Sequence, residues 1–173
     1  MPTYISILRG INVSGRRMIK MDELKKMCAQ LSFKNIHTYI QSGNLVFQSE
    51  MIDTGKISQS IAHNIQAKFG FNVPVITLTV ARLEEILNEN PFSNDLSKDP
   101  AFFHVTFLKD QPEKQNIELL NKVNLMNDSY YIHGNAIYLY CQHGYSNSKL
   151  TNSFIESKLK VTATTRNWKT IMA

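Results

Sequence analysis

The chain has 173 residues, 43% hydrophobic and 19% charged, with a net charge of +5; this composition argues against disorder and fits one domain or two small ones. No run approaches the roughly 18 apolar residues that span a bilayer, and no basic-then-apolar leader precedes the first strand, so a cytoplasmic protein with no membrane partner is expected. Cys28 and Cys141 are too few for a disulfide framework.

Thr3 to Arg9 alternates and predicts a strand. Arg9-Gly10-Ile11-Asn12-Val13-Ser14-Gly15-Arg16-Arg17 follows, a loop whose glycines allow close backbone approach and whose arginines supply forked donors. It lacks both the lysine ending of a triphosphate P-loop and the three-glycine dinucleotide pattern, but it runs toward a helix N-terminus, where an anion is favoured. Met21, Leu24, Met27, Cys28 and Leu31 share the apolar face of that helix. Two strands, Ile36–Ile40 and Asn44–Gln48, flank Ser42-Gly43, read as a two-residue turn that sets Gln41 opposite Asn44 and Ile40 opposite Leu45. Thr38, Ile40, Leu45 and Phe47 then face the helices. Asp53 caps a helix carrying Ile57, Ile61, Ile65 and Phe69, Gly70 ends it, and Val73 to Thr79 forms a last strand.

Residues 80–90 predict a short helix, with Val80, Leu83, Ile86 and Leu87 inward and Asn90-Pro91 ending it. The same grammar then returns: a strand from Phe102 to Leu108, a helix begun by Pro112, a hairpin turning at Gly134-Asn135, a helix near Thr151 to Lys160 and a short strand around Thr162 to Thr164. The second hairpin pairs Ile132 with Ile137 and Tyr130 with Leu139, leaving Tyr131, Tyr138 and Tyr140 on the other face. The expected fold is α+β: two ferredoxin-like βαββαβ halves in tandem, with mostly antiparallel sheets and helices on one face. Residues 1–79 form the first half, 80–100 a helix and linker, and 101–173 the second half with a C-terminal helix that starts near Trp168 and takes Thr165 as its cap.

Charge is uneven. Residues 9–26 hold six cations against Asp22 and Glu23, residues 156–173 hold four against Glu156, and Glu84, Glu85, Glu89, Asp95 and Asp99 gather between them. His133 falls opposite Ala136, about 17 Å along the strand from Cys141, so those two residues do not share a metal. Cys141 and His143 have no orienting third group, and no metal or cofactor is expected.

Leu8-Arg9-Gly10-Ile11-Asn12-Val13, Thr38-Tyr39-Ile40-Gln41-Ser42-Gly43-Asn44 and Ala163-Thr164-Thr165-Arg166-Asn167-Trp168-Lys169-Thr170 together resemble the signature segments of the bacterial family known as domain of unknown function 1697. The resemblance implies two ferredoxin-like halves and no established activity; Ser14 departs from a second glycine beside Gly15. It marks Arg9, Asn12, Gln41, Ser42, Asn44, Arg166 and Asn167, which the core does not need. These seven are expected to form one polar cleft for an anionic small molecule or nucleotide, arginine forks taking the charge and amides reading shape. Two alternatives stand beside it. One is single-stranded nucleic acid bound by the basic loops and an aromatic sheet face; the other is an enzyme on a phosphorylated substrate, with His37 or Asp22 as base.

Overall fold

The computed structural model describes residues 1–173. In chain order the elements are β1 (Thr3–Leu8), α1 (Met21–Gln30), β2 (Lys34–Tyr39), β3 (Asn44–Gln48), α2 (Thr54–Phe69), β4 (Val75–Thr79) and α3 (Val80–Asn88), then β5 (Phe103–Leu108), α4 (Lys114–Asn121), β6 (Ser129–His133), β7 (Ala136–Tyr140), α5 (Asn152–Leu159), β8 (Ala163–Asn167) and α6 (Trp168–Met172). The strands form two four-stranded antiparallel sheets, β2-β3-β1-β4 and β6-β7-β5-β8. This is the ferredoxin-like order twice over, in an α+β fold. Two compact units result, Met1–Glu84 and Glu85–Ala173, with the break inside α3.

In the first unit, Tyr4, Leu8, Leu45, Phe47 and Val75 point from the sheet toward Leu24, Met27 and Cys28 of α1 and Ile57, Ile61 and Ile65 of α2. The expected stripes on both helices are therefore the buried ones. Asp53 accepts from Lys56 N at the start of α2, and Gly70, at φ +82, closes its end. Within this apolar layer Ser6 and Thr77 share a 2.7 Å hydrogen bond, and Ser58 of α2 donates to Thr77 at 2.8 Å. The three hydroxyls satisfy one another where water does not reach.

The first hairpin departs from the sequence reading. Tyr39, not Gln41, faces Asn44, and Thr38 faces Leu45, leaving Ile40–Gly43 as a four-residue turn. Asn44 Nδ2 donates to Tyr39 O at 2.8 Å and closes the wider loop. Because the pairing moves by two residues, Thr38 and Leu45 still share a face. Ile40 instead leaves the strand and is exposed.

The second hairpin has the expected register, with Tyr130 opposite Leu139 and Ile132 opposite Ile137. Leu108, Ile137, Leu139 and Ala163 pack with Leu120 of α4 and Ile155 and Leu159 of α5. The opposite sheet face is covered within the same unit. Tyr138 is buried and donates to Ile86 O at 2.8 Å, Phe92 lies about 6 Å from the rings of Phe103 and Tyr140, Trp168 meets Phe103 edge-on, and Lys98 Nζ sits 4.8 Å above Tyr140. The aromatic face, which only the nucleic-acid alternative reads as a stacking platform, is thus spent on packing, with only Tyr131 of the three tyrosines half exposed. The last strand also runs further than expected, through Asn167, because pairing with β5 continues to His104–Asn167. Asn167, not Thr165, caps α6, accepting from Thr170 N at 2.8 Å.

Candidate functional site

β3 runs antiparallel to β1, so Ile7 at the end of β1 stands beside Asn44 at the start of β3. The loop after β1 and the Ile40–Gly43 turn therefore meet at one end of the sheet. The backbone ties are Leu8 N to Gly43 O at 2.9 Å and Arg9 N to Pro74 O at 3.1 Å. Gly43 is required by contact: a Cβ there, at φ +89, would lie 2.6 Å from Ile11 Cδ1 and 2.9 Å from Leu8 Cβ.

Beyond Ile11 the chain makes a miniature ribbon. Asn12 N donates to Arg17 O at 3.1 Å and Arg16 N to Val13 O at 2.9 Å, with Val13 and Arg16 bridged. The tip, Ser14-Gly15, has φ of +51 and +72, the left-handed pair that a tight hairpin tip demands. Glycine adopts that geometry freely, whereas Ser14 holds it at a cost. Buried Ile11 and Ile19 peg the two ends of the ribbon, and Val13 through Met18 are exposed between them.

Asn12 locks this finger in place. Its Nδ2 donates to Ile19 O at 3.0 Å and Gln41 O at 2.8 Å, and its Oδ1 accepts from Ile19 N at 2.8 Å. Both amide protons are engaged by the protein's own backbone, so Asn12 frames the site. Asn44 is buried and does the same for the turn, donating to Tyr39 O and, at 3.3 Å, to Ser42 Oγ. Arg9 is half-buried at the loop base, Gln41 is exposed, and Ser42 is half-buried beside it.

Arg16 and Arg17 are the exposed charges of the finger; the sequence marked the loop's arginines as donors but placed only Arg9 of them among the seven site residues. Neither has a carboxylate partner, and no acidic residue occurs from Arg9 through Met21. Arg17 Nη1 folds back to within 3.5 Å of where a Cβ on Gly10 would sit, which returns that guanidinium to the loop base. The Ser14-Gly15 pair between Asn12-Val13 and Arg16-Arg17 was the available signal, a two-residue tip between short flanks. The α1 N-terminus, by contrast, has Lys20 at its cap with no side-chain hydrogen bond, while Asp22 and Glu23 already supply negative charge to its first turn.

Arg166 and Asn167 belong to the second unit. Arg166 lies opposite Val105 on the face that carries Tyr138; it donates from Nη1 to Thr165 O at 3.1 Å, and burial lowers its guanidinium to about 10, still charged at neutral pH. On the opposite face Thr106 and Thr165 share a 2.7 Å hydrogen bond, and Thr165 donates to Asn152 of α5 at 2.7 Å. Burial raises the Cys141 thiol to about 11 and that of Cys28 to about 12, so neither is a ready thiolate. His37 is exposed on β2 and Asp22 on α1.

The structure thus defines a class, a tandem of ferredoxin-like halves with a basic finger on the first. The chain belongs to the DUF1697 family of proteins of unknown function, whose model matches residues 1–138. Among solved structures it is similar to the conserved bacterial protein SP0830 from Streptococcus pneumoniae, at 23% identity and a TM-score of 0.72 over 99% of this chain and 95% of that one. That likeness bears on the fold alone. No curated protein matches the chain. No helix is long and apolar enough to cross a membrane.

Proposed function

We propose that the corner formed by the finger and the Ile40–Gly43 turn binds an anionic small molecule or a nucleotide. One observation carries the reading: the first half lengthens these two adjoining connections and sets Arg9, Arg16 and Arg17 on the first of them. Twelve residues join β1 to α1, against five between β5 and α4, and the turn has four residues against two. Arg16 and Arg17 are the proposed charge contacts, with Arg9 at the base and the Gln41 and Ser42 side chains reading shape, while Asn12 and Asn44 hold the frame. The proposal is confined to these first-half residues, since the Asn167 side chain caps a helix and Arg166 lies within the second sheet. Binding is favoured over catalysis because neither connection supplies an acid, a base or an activated nucleophile.

Thermal-shift titration of nucleotides, phosphosugars and short oligonucleotides against wild type and an Arg16→Ala/Arg17→Ala double variant tests it. A ligand at 100 times its Kd stabilises by about 2.7 kcal/mol, a readable shift. Saturable stabilisation of wild type that the double variant loses is expected; a flat response to every compound sinks the proposal. The exposure of Val13 through Met18 also suits a nucleic acid strand. In that case affinity falls steeply with salt, with a logarithmic slope of about −0.7 per phosphate contacted, and rises with oligonucleotide length.

A further inference from the structure

We infer that Ile40 is the apolar contact of this site, so that the anion it serves carries a flat or apolar body: a nucleoside phosphate, free or within a strand, rather than a bare phosphate or a phosphosugar. This rests on the anion-binding reading proposed above. Eight non-glycine residues adopt positive φ, namely Asn12, Ser14, Arg17, Ser32, Asn35, Ile40, Met126 and Lys160, and Ile40, at +52, is the β-branched one. Branching at Cβ makes that conformation a true outlier, one that persists only where something holds it or uses it. The core does not use it: the side chain is 47% exposed at the tip of the turn. Glycine or asparagine would occupy the position with less strain and better solvation.

What surrounds Ile40 gives the outward side chain a task. The next residue, Gln41, accepts through its carbonyl from Asn12 Nδ2, and Asn12 is paired across the ribbon with Arg17. The apolar side chain therefore stands beside the base of a cationic finger. On the finger itself Val13, 56% exposed, and Met18, 61% exposed, bracket Arg16 and Arg17 in sequence. Guanidinium groups next to outward aliphatic groups complement a molecule with a phosphate at one end and a base at the other. A ligand made only of charge and hydroxyls would leave the aliphatic surface in water.

The test compares ATP, inorganic pyrophosphate and a short oligothymidylate on wild type, Ile40→Asn and Ile40→Gly, by calorimetry and thermal melting. Both variants accept the left-handed backbone, so the fold is retained, and Ile40→Asn is expected to melt no lower than wild type. ATP should bind wild type more tightly than pyrophosphate and lose about tenfold in both variants, the consequence of removing one buried aliphatic contact, while pyrophosphate binding stays unchanged. A gain in affinity with oligonucleotide length assigns the base to a strand, and its absence to a free nucleotide; either supports the contact. Equal affinities of wild type for ATP and pyrophosphate, an unchanged ATP affinity in both variants, or an equal loss for both ligands overturns the role of Ile40 and leaves the anion site standing. No binding of any of the three to wild type removes the anion site itself, and this inference with it.

Discussion

Thr79 and Asn167 end β4 and β8, and each caps the helix that follows, Thr79 Oγ1 accepting from Arg82 N at 3.1 Å and Asn167 Oδ1 from Thr170 N at 2.8 Å. Ser6 with Thr77 and Thr106 with Thr165 are likewise paired at matching positions of the central and end strands, and in each half a helix side chain, Ser58 or Asn152, joins them. The backbone tie at the end of the central strand also recurs, as Leu8 N to Gly43 O and Leu108 N to Asn135 O, both at 2.9 Å. The halves diverge just beyond that tie, where the first grows its finger and its wider turn. A repeated scaffold that keeps its joints and elaborates one corner separates what the fold needs from what was added to it.

The sharpest way to break this comparison is at the matched pair Gly43 and Asn135. Gly43→Asn gives the first half the residue of the second, and forces a side chain into the space held by Ile11 and Leu8; it should cost on the order of 3 kcal/mol in urea unfolding. Asn135→Gly should cost under about 1 kcal/mol. Similar losses at the two positions would show that the tight approach at Gly43 does not matter.

Asn12→Ala comes next. It strips two carbonyls and one N–H of their partner and should cost about 2 kcal/mol, with faster proteolytic cleavage between Val13 and Met18. An unchanged cleavage rate would mean that the finger is held by Ile11 and Ile19 alone. Thr77→Val and Thr165→Val test the shared joints. Each removes the hydroxyl that bridges a strand side chain and a helix side chain, and each should destabilise by about 1–2 kcal/mol, the two agreeing within about 1 kcal/mol if the joints are equivalent.

The smallest effect is acid sensitivity. His104 occupies the position of Tyr4; it stacks on Tyr145 at 4.9 Å, and burial lowers its pKa below the ordinary value of 6.5. Its folded pKa is depressed, so the unfolded chain takes the proton first. The contribution of His104 to stability is full above pH 6.5 and is lost as pH falls from there through the folded value. Replacing it as in the first half, His104→Tyr, should remove that part of the decline seen in melting temperature against pH; an identical pH profile would place the imidazole in a solvated setting.

Much of this architecture was legible from periodicity. The apolar stripe of α1, the Asp53 and Gly70 ends of α2 and the full register of the second hairpin depend on neighbours in sequence, and local backbone geometry decides them. The first hairpin was not, because Ser42-Gly43 has the look of a two-residue tip. What overrides it is tertiary: Asn44 reaches back to Tyr39, and Gly43 is pressed onto Ile11 from another element. The extent of β8 was missed for a related reason, since its last residues are ordered by pairing with β5 and not by any pattern of their own.

The candidate site divides along the same line. Its residue types were evident, for glycines, arginines and amides outside any apolar stripe stand out in a list of letters. Their roles were not, because a carboxamide that holds a loop and one that meets a ligand are the same in sequence and differ only in where their hydrogen-bond partners lie. Sequence alone determined two halves of like grammar with charge concentrated near one loop, since burial periodicity and glycine placement are local properties of the chain. Tertiary structure alone decided that Asn12 is a clamp, that Arg16 and Arg17 are exposed on a finger and that Ile40 leaves its strand, because each depends on the approach of segments more than twenty residues apart or on a turn that those segments shape.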